Sequence, residues 1–123
     1  MTLHKLTTIN DLLTQVREAQ DSIEFAGVMQ VINQFYTYTP TEFSNGPISN
    51  PAGTNEGACK IFYFAQINKL TEIETLSLFG RYYRDDVLAN PTGTDHSNIR
   101  NFLLNGWAGI KFDNPVLAIL VCI

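Results

Sequence analysis

The sequence predicts a helix-rich α+β domain of about five helices with a small, mainly antiparallel sheet. Three observations carry that prediction. Five segments place apolar residues at helical intervals behind capping residues, and aromatic or β-branched runs stand between and after them. The composition, 45% hydrophobic against 16% charged, has the apolar material that a disordered chain lacks. At 123 residues the chain fits one domain, 1–123, since single cores commonly use ~100 to 150 residues.

The first helix opens at Thr8, whose spacing to Asp11 is that of a capping box, and Ile9, Leu12, Leu13 and Val16 carry it to about Ala19. Asp21 and Ser22 suit a turn and an N-cap, after which Phe25, Val28, Met29, Ile32 and Phe35 repeat the helical pattern. From Phe35 to Phe43 the residues are mostly aromatic or β-branched, with Pro40 allowed at an edge, so a short edge strand is predicted. Ser44 to Gly57 holds three Gly, two Pro and three Asn and reads as a loop of functional length.

The third helix, from about Glu56 to Lys69, is apolar almost all round and belongs at the centre. Thr71 with Glu74 opens a fourth, carrying Leu76, Phe79, Gly80, Tyr83 and Val87 and ending near Asn90-Pro91. Thr94 caps a fifth, with Ile99, Phe102 and Leu103 inward and Gly106 as its stop. Trp107 to Phe112 then reads as a strand. The uncharged tail, Pro115 to Ile123, is expected to form a hairpin with it through Asp113-Asn114-Pro115. An open hairpin edge would instead pair two chains as a homodimer.

Charge narrows the partners. Eight Lys plus Arg against twelve Asp plus Glu give a formal charge of −4, which repels a phosphate backbone, so no nucleic-acid partner is expected. Met1 to Leu6 lacks the apolar core of a secretory signal, and the longest apolar run, Val116 to Ile123, is far short of the ~20 residues that span a bilayer. A cytoplasmic protein without membrane attachment is the expectation. Cys59 and Cys122 form no metal-type pair and read as free thiols of a reducing compartment. No metal and no cofactor are expected.

At an offset of forty residues the chain echoes itself, Asn50-Pro51-Ala52-Gly53-Thr54-Asn55 facing Asn90-Pro91-Thr92-Gly93-Thr94-Asp95. Two similar capping turns account for this, because such turns reuse few residue types. The sharper reading is a pseudo-symmetric pair of helix starts facing one cleft, where helix dipoles and unpaired N–H groups favour an anion.

Four strings then carry a family resemblance: Asn55-Glu56-Gly57-Ala58-Cys59-Lys60-Ile61-Phe62, the run Phe79 to Leu88 around Tyr82-Tyr83-Arg84-Asp85-Asp86, Gly93-Thr94-Asp95-His96-Ser97-Asn98-Ile99-Arg100-Asn101-Phe102, and Gly106-Trp107-Ala108-Gly109-Ile110. The chain resembles the HopJ type III effector family from about Ile23 to Phe112. The resemblance implies no agreed chemistry. Type III secretion is implied by it alone, since the first helix beginning by Thr8 leaves no long polar leader.

Three constellations can carry chemistry. Arg81, Arg84, Asp85 and Asp86 at the end of helix four read as a solvated salt-bridged face, or, with Asp86, Asp95 and His96 meeting across the Asn90 to Thr94 turn, as a metal or acid/base group. Cys59 in the first turns of helix three reads as a buried inert thiol, or as a nucleophile served by His96. A polar pocket at the helix starts gathers Asn55, Glu56, Arg84, Asp86, Asp95, His96 and Arg100 as candidate ligand-binding residues. A binding or interaction module, for a small anionic ligand or a protein partner, is favoured because no motif assembles nucleophile, base and orienter. An enzyme acting on a small anionic substrate and a secreted effector acting in a host cell are the alternatives.

Overall fold

The computed structural model describes residues 8–120. Among them are five α-helices, α1 (Ile9–Glu18), α2 (Phe25–Phe35), α3 (Glu56–Ile67), α4 (Glu72–Ser77) and α5 (Ser97–Asn105). Five short strands, β1 (Tyr36–Tyr38), β2 (Phe43–Asn45), β3 (Ile48–Asn50), β4 (Ile110–Phe112) and β5 (Leu117–Ile119), form two small antiparallel sheets, ordered β1-β5 and β3-β2-β4. The predicted α+β class holds.

Local chemistry sets the helix ends where side chain and backbone are three residues apart. Thr8 and Asp11 close a reciprocal capping box on α1, and Thr71 and Glu74 do the same on α4. Helix α2 differs from expectation: Ser22 sits in a 3₁₀ turn (Gln20–Ser22), and Glu24 precedes the helix without a side-chain cap.

Helix α3 runs through the core, with Cys59, Ile61, Phe62, Phe64 and Ala65 all buried. The Phe62 ring meets Phe102, Phe79 and Phe43 at centroid distances of 4.9, 5.4 and 6.2 Å. Around this aromatic centre α2, α4 and α5 lay their apolar sides.

The predicted fourth helix is two pieces. Gly80 takes φ +60°, and a Cβ there would lie 2.9 Å from the Phe25 backbone nitrogen, so the chain turns where it crosses the entry of α2. Tyr82–Val87 then winds as a π-helical segment. The fifth helix is preceded by His96 in the N-cap position rather than Thr94, and Gly106, at φ +61°, ends it as expected.

The strands correct the sequence reading most. Phe35 to Phe43 is not one strand: β1 and β2 lie in different sheets, parted by the segment containing Pro40. The first half of the Ser44 to Gly57 loop is regular, a β2–β3 hairpin turning at Gly46, whose φ is +60°. Trp107 lies in a 3₁₀ turn (Gly106–Gly109), its indole donating to the Leu70 carbonyl at 3.2 Å.

The expected hairpin between Trp107–Phe112 and the tail is also overturned. β4 pairs with β2, and β5 pairs with β1 in the register Tyr36↔Ile119, Tyr38↔Leu117. The Phe112 ring lodges between Phe43 and Tyr63, at 5.9 and 5.1 Å, and the chain continues until the Thr39 N–H meets the Val116 carbonyl at 2.8 Å. Val116 and Leu117 are thereby buried, whereas Ile119 stays 60% exposed. The end of the predicted strand, with Cys122, lies outside the described residues.

Candidate functional site

Helices α3 and α5 start unlike α1 and α4. Their N-caps, Asn55 (φ 48°, ψ 45°) and His96 (φ 50°, ψ 50°), are left-handed, and no side chain caps either helix. Asn and His enter that region more readily than most residues, at some cost in strain. A helix leaves its first-turn N–H groups without intrahelical acceptors. Here the residues of those turns, Gly57 and Ala58 on one helix and Ser97, Asn98 and Ile99 on the other, line one cavity of about 380 Å³. Asn55, His96, Phe25, Phe79 and Tyr82 complete its wall. The sequence echo pairs Asn55 with Asp95; the structure pairs it with His96, one residue on. Neither Thr54, which bonds back to Pro51, nor Thr94 caps its helix.

A buried asparagine network holds the two starts together. Asn55 Nδ2 donates to Asn50 Oδ1 at 2.8 Å, and Asn98 Nδ2 donates to the same oxygen at 3.0 Å. Asn98 Oδ1 accepts from Asn45 and Asn50, at 3.0 and 3.2 Å. The β2–β3 hairpin thus clamps the start of α5 to the start of α3. The sequence reading missed Asn45, Asn50 and Asn98 as site residues. One signal was present: Asn98 stands four residues before Phe102, on the apolar side of α5.

Asn55 and His96 line the cavity, and Asp86 reaches it through His96, with Nε2 3.0 Å from Asp86 Oδ2. Asp95 Oδ2 lies farther off, 3.8 Å from the same nitrogen. The His96 ring is 5.2 Å from that of Tyr82, inclined by 34°. The remaining candidates are engaged elsewhere. Arg100 grips the Asn90 to Asp95 turn, donating to the Asn90 carbonyl (2.8 Å), the Asp95 carbonyl (2.6 Å) and the Asp95 carboxylate (2.6 Å). That last bond chiefly holds the Asp95 carboxyl below its usual range. Arg84 donates to the Ile23 carbonyl at 2.7 Å and stands 3.8 Å from Glu24. Glu56 faces the Tyr38 phenol, which burial first and this carboxylate second push well above its ordinary value. Among the described residues, no Lys or Arg lines the cavity.

Cys59 proves to be the buried thiol of the two readings: it is 1% exposed and contacts the Thr41 carbonyl oxygen at 3.8 Å. Burial first, then the Glu56 carboxylate, push it up to about 11. A nucleophilic thiolate is therefore disfavoured at neutral pH. Because the folded state holds the proton more tightly, this contribution to stability is full below the ordinary thiol range and is lost as pH rises toward about 11. In a Cys122→Ser background, Ellman's reagent at pH 8 is expected to label Cys59 only as fast as the protein opens. Prompt labelling of folded protein would show the site to be accessible and reactive.

Fold and cavity define a helix-rich α+β domain with a cavity of mixed polar and apolar lining at two helix starts. The chain belongs to the HopJ type III effector protein family, whose match runs over residues 9–117 and so takes in α1 and the start of β5. It is 40% identical to VPA0580, a protein of unknown function with a crystal structure, at a TM-score of 0.92 over 98% of this chain and 100% of that one. No curated protein matches the sequence. Among the described residues no helix is long and apolar enough to cross a membrane, and no three His, Cys, Asp or Glu side chains group as a metal site.

Proposed function

We propose that the chain is a binding module whose cavity holds a small anionic ligand on the backbone donors of α3 and α5. One observation carries this reading: two helix starts with no side-chain cap open on a single cavity, while α1 and α4 close their own ends with capping boxes. The N-terminal dipole ends add their partial positive charge there. With no Arg or Lys among the described residues of the wall, recognition falls to N–H groups and to the Asn55 and His96 side chains, which suits a small ligand of limited charge.

An enzyme acting on such an anion is the second reading, favoured by the His96–Asp86 contact, because a carboxylate that orients an imidazole is a common acid–base arrangement. Binding comes first in either case. Sulfate or phosphate should raise the melting temperature more than chloride does at equal ionic strength, since a ligand that binds only the folded state stabilises it by mass action. At ten times the dissociation constant the gain is ~1.4 kcal/mol, a shift of a few degrees for a domain of this size. Identical melting temperatures in the three salts at high concentration would overturn the reading.

A further inference from the structure

We infer that the ligand of this cavity carries a flat unsaturated ring beside its anionic group, an inference that rests on the reading of the cavity as an anion site. Three rings that line it follow one another in a row. Phe25 and Tyr82 meet edge to face, with centroids 5.2 Å apart and planes at 67°, and Tyr82 and His96 are 5.2 Å apart at 34°. Tyr82 is 39% exposed, so folding leaves much of an aromatic side chain in water at the mouth of a cavity. A planar ligand laid on it would gain offset or edge contact as well as apolar burial.

Both ends of the row are held in place. The Asp86 carboxylate fixes the His96 imidazole at 3.0 Å, and the left-handed backbone of His96 aims the side chain from the helix start. Gly57 brings the other end of the row close: a Cβ there would lie 2.7 Å from Phe25 Cζ. Only glycine lets that ring lean on the first turn of α3, where the helix N–H groups begin. Aromatic wall and donors therefore adjoin, and a ligand that has both a ring and a charge uses both.

Phenyl phosphate and methyl phosphate carry the same charged group and differ in the ring. Titrated into the full chain and followed by amide chemical shifts, phenyl phosphate should bind about tenfold tighter, the scale of ring contacts of this kind. Tyr82→Leu, which keeps apolar bulk, should bring the affinities of phenyl and methyl phosphate together. His96→Asn serves as a second variant, since asparagine also tolerates the left-handed backbone, and it should shrink the advantage as well. Equal affinities in the parent chain, or an advantage that survives both substitutions, would overturn the inference while leaving the anion site standing. If neither phosphate binds, inference and anion site fall together.

Discussion

Phe62→Ala is expected to lower stability by about 3–5 kcal/mol, the range for emptying a fully buried phenylalanine. The side chain is 0% exposed, and its ring is the point where β2, α5 and the chain following α4 converge, through Phe43, Phe102 and Phe79. Those partners belong to different elements, so the cavity cannot be filled by shifting one of them alone. Against a typical stability of about 5–15 kcal/mol the loss is large. Urea denaturation should show a lower midpoint at an unchanged slope. A loss below about 1 kcal/mol would mean that the neighbouring rings collapse into the space, and that α3 is less central than its burial says.

The helices were legible where their causes are local. Thr8 with Asp11 and Thr71 with Glu74 are three residues apart, so the capping boxes of α1 and α4 could be read directly, as could the stop at Gly106. The all-round apolar character of α3 placed it at the centre. What the reading missed depends on distant partners. Gly80 breaks the fourth helix because the backbone of Ile23 to Phe25 passes against it, and no pattern near residue 80 announces that. β5 pairs with β1 across most of the chain length, while the nearer Trp107 to Phe112 segment looked the easier partner.

The site was half legible for a similar reason. The forty-residue echo pointed to two helix starts facing one cleft, and the starts do line one cavity. Charge misled. Arg84 and Arg100 drew attention as anion binders, yet their guanidinium groups hold backbone carbonyls of Ile23, Asn90 and Asp95. The uncharged Asn50 and Asn98, read as turn or family residues, tie the cavity together. Neutral amides give no signal in charge or hydropathy; their role shows only when burial and partner are known together.

Asn50→Leu is therefore the sharper test of the site's construction, with an expected loss of about 2–4 kcal/mol. Asn50 is 1% exposed, and its amide makes four contacts: it donates to the Phe43 carbonyl and Asn98 Oδ1, and accepts from Asn55 and Asn98. Leucine keeps the four-atom branched skeleton of the side chain without its polar atoms, and the Asn98 Nδ2 is left buried without its acceptor. Each orphaned buried polar group costs about 1–3 kcal/mol. Asn98→Leu removes from the other side the two contacts that the pair shares, so the two losses should not fully add. A double-mutant cycle should return a coupling of about 1–3 kcal/mol between positions 50 and 98, the double variant being less damaged than the sum of the singles. Because Asn50 also holds Asn55 at the start of α3, the sulfate or phosphate gain in melting temperature should vanish in Asn50→Leu even where the variant remains folded. Additive losses would show that the asparagines act separately. An anion response unchanged in a folded Asn50→Leu protein would show that the helix starts keep their geometry without the clamp.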